Sequence, residues 1–215
     1  MNAFVDAFIW IVNNPGPFNR ALTQHLIMSG ASLLIALAIG LPLAIAIISR
    51  ERLANTSITL INALRTLPSL VILAIMMPIL GIGLGPSIVA LTILALPPIL
   101  INAYVGLRDV DPDAVEAATG MGMSRSQILW KIRVPLAAPA MFAGLRTAAV
   151  QVLAGATLAP FIGGGGLGDF IITGITMVDT ARLLVGAVTI AVLALLAEAI
   201  LALAERLLFA ERTAA

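Results

Sequence analysis

The sequence predicts an all-α, polytopic membrane protein with about five transmembrane helices, and three observations carry that prediction. Of its 215 residues, 60% are hydrophobic and only 11% are charged, with a mean hydropathy of +1.09; soluble domains carry roughly 25% charged residues. The apolar stretches run unbroken, without the two-residue alternation of a barrel strand, and lipid admits only helices or closed barrels because it cannot hydrogen-bond a bare backbone. Several of these stretches reach the ~20 residues that a helix needs to cross the hydrocarbon core.

The chain opens on MNAFVDAFIWIVNNPGPFNR, whose first basic residue, Arg20, follows the apolar stretch from Phe4 to Val12. A secretory signal has its positive charge in front of the apolar run, so no cleaved peptide is expected. The stretch is also too short to span. Residues 1–23 therefore read as an interfacial segment, with Trp10 at headgroup level. Spanning runs follow at about 24–49, 55–80, 86–107, 136–161 and 183–207, so 24–215 reads as one transmembrane domain. The second run is interrupted by Arg65 and Pro68, where a helix break is expected.

Arginine and lysine in the loops set the orientation. With the N-terminus outside, the cytoplasmic segments hold Arg50, Arg52, Arg108, Arg125, Lys131, Arg133, Arg206 and Arg212, and the outside keeps Arg20 and Arg182. The chain is thus expected to have its N-terminus out and its C-terminus in the cytoplasm. No internal repeat or linker marks a second domain.

The longest polar stretch, DVDPDAVEAATGMGMSRSQILWKIRVP, lies in the loop at 108–135 between the third and fourth spans. Asp111 is a good N-cap and Pro112 a good first helical residue. The helix should end near Gly120 or Gly122, either of which takes the left-handed conformation that closes a helix. Ser124 and Gln127 have the spacing of a capping box, and Pro135 marks the stop or the entry to the next span. The second helix puts Ile128, Leu129 and Ile132 on one side and Arg125, Lys131 and Arg133 around the rest. On grammar alone this is either a docking element or a solvated helix resting on headgroups.

Within this loop Glu116, Ala117, Ala118, Gly122, Ile132, Val134 and Pro135 resemble the EAA signature of ATP-binding-cassette importer permeases, with Val134 where the family usually has Leu. The resemblance implies a type I importer permease fold in which this loop seats in a groove of the nucleotide-binding subunit. In that reading, small Ala117 and Ala118 admit close approach of a partner, Gly122 makes the corner and Glu116 supplies a carboxylate. The stretches from Ile61 to Leu208, including ATLAPFIGGGGLGDFIITGI and Asp179–Ala181, resemble permeases of the glycine betaine, carnitine and choline osmoprotectant importers. Methionine-importer permeases share the EAA loop and the glycine turn and are the near alternative; an amino-acid importer permease is therefore the second reading. The implied partners are two ATPase subunits, a second permease, identical or paralogous, and an extracellular or periplasmic solute-binding protein, in the bilayer of a bacterial inner membrane. No nucleic-acid partner and no cofactor are expected.

The chain is not expected to be an enzyme. A phosphate loop of the G-x-x-x-x-G-K-[ST] type is absent, since the lone lysine, Lys131, follows Trp130. The run Gly163–Gly166 has no basic partner nearby and reads as a tight turn. With no cysteine and one histidine, His25, neither thiolate chemistry nor a metal cluster is expected, and no HExxH or GxSxG is present. A passive channel or a structural membrane protein is the rival from another class. The candidate pathway residues are Arg65, Thr66 and Ser69 beside the expected break, with snorkelling of Arg65 to the surface as its bland counterpart. Arg146 is paired with Glu198 by estimated depth; Asn62, Asn102 and Gln151 read as interhelical hydrogen bonds or pathway groups, and Gly30, Ala38 and Gly40 as helix-packing positions.

Overall fold

The computed structural model of the chain describes residues 3–209, all helices and turns. Among the described residues four helices are long and apolar enough to cross a membrane: α2 (Pro15–Ile47), α5 (Leu84–Arg108), a continuous helix over Arg125–Ile162, and α10 (Thr180–Phe209). The expected second span is a broken pair. Helix α3 (Glu51–Thr66) meets α4 (Ser69–Leu80) at 98° across Leu67 and Pro68, and the count of spans is five if that pair is one. Proline supplies the cause: its ring excludes the helical conformation from the preceding residue, and Leu67 is extended, with ψ 129°.

The long helix over 125–162 is a composite of α7 (Arg125–Ile128), a π-helical turn (Leu129–Arg133), α8 (Val134–Gly155) and a 3₁₀ stretch (Ala156–Ile162). The sequence suggests a separate short helix in the loop followed by a span from 136. Instead the two run together without a break. Pro135 would remove a donor from a regular α-helix and press its ring on the preceding turn; the wider π turn, in which Val134 N–H reaches Leu129 O, absorbs it.

At the chain's start, α1 (Ala3–Asn13) is an 11-residue helix, about 16 Å long and too short to cross. It packs on α10, and Trp10 is held edge-on to Phe170 at 5.1 Å with the Arg182 guanidinium 5.4 Å over its ring. Helix α2 begins at Pro15, so part of the stretch read as interfacial forms the first turns of the first span.

Helix α5 is the centre of the bundle, packed between α2 and α8. The core there joins Met28 and Ala36 of α2, Leu91, Ala95 and Ile99 of α5, and Ala148 and Val152 of α8. Without a hydrophobic driving force between helices in lipid, small residues that let backbones approach hold such contacts. A β-carbon placed on Gly106 would lie 2.7 Å from Ala140 Cβ, and one on Gly144 would lie 2.7 Å from Pro98 O. Gly40 packs likewise on Ile99, as its sequence suggests, but Gly30 faces open space and Ala38 is exposed. Those two small residues do not pack within this chain.

Polar side chains stitch the same helices. His25 Nε2 lies 3.1 Å from Leu153 O, Ser32 Oγ donates to Ile88 O at 3.1 Å, and Thr92 Oγ1 reaches Ser32 O at 3.5 Å. Asn102 serves its own helix instead, donating to Pro98 O at 2.8 Å. Ser32→Ala should lower the thermal stability of the detergent-purified protein by about 0.6 kcal/mol, the usual size of such a bond in a membrane; a melting curve against wild type reads it.

A short helix α9 (Gly168–Thr176) follows the glycine turn and packs on α10. In that turn Gly163, Gly165 and Gly166 have φ of +73°, +68° and +96°. Gly166 N–H donates to Gln24 Oε1 at 3.3 Å, and a β-carbon there would press on Met28 and His25. The turn is clamped on α2, as expected of a structural turn.

Candidate functional site: the polar loop and the broken helix

Helix α6 (Pro112–Gly120) opens the polar loop with the cap its sequence promises: Asp111 Oδ1 accepts from Asp113 N–H at 2.9 Å, with Pro112 in the first turn. It closes in a Schellman arrangement. Met123 N–H reaches Ala118 O at 3.2 Å, Gly122 N–H reaches Thr119 O at 2.9 Å, and Gly122 takes φ +80°. Two residues on, the capping box is complete: Ser124 Oγ accepts from Gln127 N–H at 3.3 Å, and Gln127 Oε1 accepts from Ser124 N–H at 2.7 Å. Ser124→Ala should loosen this second helix start by about 1 kcal/mol, seen as faster amide exchange over residues 125–130.

The motif residues divide by exposure. Glu116, Ala117 and Gly122 are exposed, and no atom lies within 4 Å of a β-carbon built on Gly122. Ala118 does not share that face: at 1% exposure it is turned into the chain. It follows Val115 at the i, i+3 spacing that shares a helix side, and Val115 packs against Leu107, Val110 and Ala137. Ala118 thus seats α6 on the bundle, and close approach from outside falls to Ala117 and Gly122. Ile132, Val134 and Pro135 are half-buried, and Val134 joins the same cluster. The apolar side of the second helix also turns inward, with Ile128 8% exposed. A cavity of about 580 Å³ lies behind the loop, lined by Ile45, Ile48, Val115, Ile128, Leu129 and Arg133 among others.

Two features of the loop have only a weak sequence signal. Arg133 Nη1 donates to Leu107 O at 2.9 Å, tying the π turn to the last turn of α5 and satisfying a carbonyl that its own helix leaves open. Met121 at the corner is 74% exposed and Trp130 57%, both on a polar loop.

At the break in the second run, Arg65 and Thr66 are exposed and Ser69 is half-buried. Thr66 Oγ1 turns back to Ala63 O at 2.7 Å. The last carbonyls of α3 and the first N–H groups of α4 lie at this corner without a side-chain cap on α4. Non-helical backbone in a span is tolerated where protein or water meets it, not lipid.

Between α8 and α10, Arg146 pairs with Glu198 as expected and, in addition, with Glu205, its Nη1 lying 2.6 Å from Glu205 Oε2. Glu205 sits one more pair of turns along α10 from Glu198, a partner that depth estimates alone do not single out.

With this geometry in place, residues 20–209 match the family described as binding-protein-dependent transport system inner membrane component. The chain belongs to that family. The permease is 37% identical to the choline transport system permease protein OpuBB of Bacillus subtilis over 92% of this chain and 91% of that one. It is 41% identical to the carnitine transport permease protein OpuCB of Listeria monocytogenes, over 81% of this chain and 80% of that one. Its fold is that of type I ABC importer permeases: it superposes on an inward-facing structure of the MetNI methionine ABC transporter with a TM-score of 0.80 at 23% identity, covering 94% of this chain and 97% of that chain. As a member of this family the permease is a multi-pass membrane subunit of an ABC importer, which works with an ATPase, a substrate-binding protein and a second permease.

Proposed function

We propose that the permease carries small quaternary-ammonium osmoprotectants, such as glycine betaine, carnitine and choline, across the membrane, with its N-terminus outside and its coupling loop in the cytoplasm. The observation that carries the solute reading is the identity of 36–41% with permeases named for choline, carnitine and glycine betaine transport, over most of their length. The likeness to methionine and amino-acid transporters, at 22–23% identity, speaks for the fold alone.

Two permeases, two ATPase subunits and one solute-binding protein make the working assembly. The loop at 108–135 docks on the ATPase, with Glu116, Ala117 and Gly122 at the contact, Met121 and Trp130 flanking it, and Ala118, Ile132, Val134 and Pro135 holding the loop to the spans. ATP-driven closure of the ATPase pair pushes the loop. Because the second helix of the loop continues into α8 without a break and Arg133 grips the end of α5, the push reaches two central helices as one rigid body. The corner at Arg65, Thr66 and Ser69 turns toward the pathway, where water satisfies its open backbone groups. The chain itself makes and breaks no covalent bond.

Radiolabelled uptake by proteoliposomes holding the complete importer tests the solute. Saturable, ATP-dependent uptake of glycine betaine, carnitine or choline is expected; uptake of methionine with none of these replaces the reading with the amino-acid one. Uptake that persists without ATP would mean a passive channel.

A further inference from the structure

Helix α3 is less apolar than any of the long helices, and its 16 residues divide into three sides. Seven residues make two turns of a helix, so positions seven apart share a side. Ala54 and Ile61 form the buried side, in one cluster with Leu100, Ala103 and Tyr104 of α5. Leu53 and Leu60 form a second side, 48% and 63% exposed. Thr59 and Thr66 form a third, and Thr56 and Asn62, three residues either side of Thr59, belong to it; all four are exposed. The bundle thus leaves two different surfaces of one helix uncovered, one of leucine and one of threonine and asparagine.

Lipid suits the first surface and not the second. Threonine by itself is no obstacle, because its hydroxyl can return its proton to the helix: Thr56 Oγ1 donates to Arg52 O at 2.9 Å and Thr66 Oγ1 to Ala63 O at 2.7 Å. Asn62 has no such outlet. Its amide carries two donors and an acceptor, and it finds no partner among the described residues. It stands about 16 Å along α3 from Glu51, roughly half the depth of the hydrocarbon core. Its neighbour Ile61 shares a cluster with Leu100, well inside the α5 span. An amide turned to hydrocarbon at that depth would go unsatisfied, so water or protein must meet it. The sequence leaves Asn62 as either an interhelical bond or a pathway group, and no helix of this chain supplies the bond.

We infer that the side of α3 bearing Thr56, Thr59, Asn62 and Thr66 faces the aqueous pathway and forms a polar wall along which the solute passes, while the Leu53 and Leu60 side faces lipid. The inference rests on the transport reading above. It carries the pathway from the corner at Pro68 along α3 toward the end of the bundle that bears the polar loop. The groups of this wall are uncharged, and the Thr56 and Thr66 hydroxyls have given their protons to the backbone. They offer a passing solute weak contacts, as a pathway that must release its solute requires.

The chain contains no cysteine, so an introduced thiol can be followed on this subunit. In the complete importer in lipid nanodiscs, where both faces meet the buffer, Thr56→Cys and Asn62→Cys should react with a charged thiosulfonate at least about tenfold faster than Leu60→Cys, because a thiol in lipid stays protonated and out of the reagent's reach. In proteoliposomes, labelling either fast thiol with a bulky reagent should block uptake, each variant being compared with itself unlabelled. Failure of both Thr56→Cys and Asn62→Cys to react would place this side against lipid or the second permease and overturn the proposal. An equally fast reaction at Leu60→Cys would overturn the division into a wet side and a lipid side. Rapid labelling that leaves uptake intact would overturn the passage of solute along this wall. Uptake is read with whichever of glycine betaine, choline or methionine the wild-type importer carries, so a failure of the osmoprotectant reading shows in the wild type and leaves the test of α3 intact.

Discussion

Gly122→Asp should leave an importer that inserts, folds and accumulates normally yet transports nothing. Inside the chain the substitution is cheap: no atom lies within 4 Å of the new β-carbon, and the cost is that of a left-handed backbone at φ +80°, about 1 kcal/mol for a non-glycine residue and less for Asp. Outside the chain the same site is the exposed corner after Met121, and in the proposed docking a carboxylate there must be desolvated against the ATPase surface. Unpaired charges buried at an interface cost several kcal/mol, enough to release the partner. The measurement is copurification of the ATPase together with solute uptake. Wild-type amounts of permease with neither ATPase nor uptake are the expected result; normal uptake would remove the loop from the coupling path.

Gly144→Val should act in the opposite way, by preventing the bundle from forming. A β-carbon at this position already lies 2.7 Å from Pro98 O and 2.8 Å from Asn102 Cβ, so α8 must move away from α5 along the largest helix contact in the chain. Overpacking costs about 1–3 kcal/mol where neighbours can yield, and more where the obstacle is backbone, as Pro98 O is. The variant should fail to accumulate in membranes and aggregate on extraction, read by fluorescence-detected size exclusion. Gly30→Val is the matched control. It meets nothing within 4 Å and should behave as wild type unless a second subunit covers that face.

These two glycines show what sequence grammar reaches. Both are small residues in helical segments, but the reason for Gly122 is local. A helix capped at Asp111 must end, its end needs a left-handed residue, and Gly122 stands where the chain turns; all of this is decided within a dozen residues. The capping box at Ser124 and Gln127, the break at Pro68 and the tight turn at Gly163–Gly166 are legible on the same grounds. Gly144 is different. Its importance comes from Pro98 and Asn102, residues far off in the chain, and no local rule separates it from Gly30.

The candidate site divides in the same manner. Composition and the length of apolar runs determine that this chain crosses a membrane as helices, because lipid admits only helices or closed barrels and these runs lack a barrel strand's alternation. The spacing from Glu116 to Pro135 marks the loop. Which loop residues face outward is a tertiary matter: Ala117 and Ala118 are adjacent and alike, yet one is exposed and the other is 1% exposed, since a helix turns about 100° per residue and Val115 fixes which side meets the bundle. The run from Arg125 into α8 without a break, the grip of Arg133 on Leu107 O and the third charge at Glu205 depend equally on how α5, α8 and α10 are placed. The sequence alone determined that this is a helical membrane protein with one structured polar loop, because hydropathy and capping act between near neighbours. Only the tertiary structure decided which side of that loop is free and which charges pair, because those contacts join segments that periodicity treats independently.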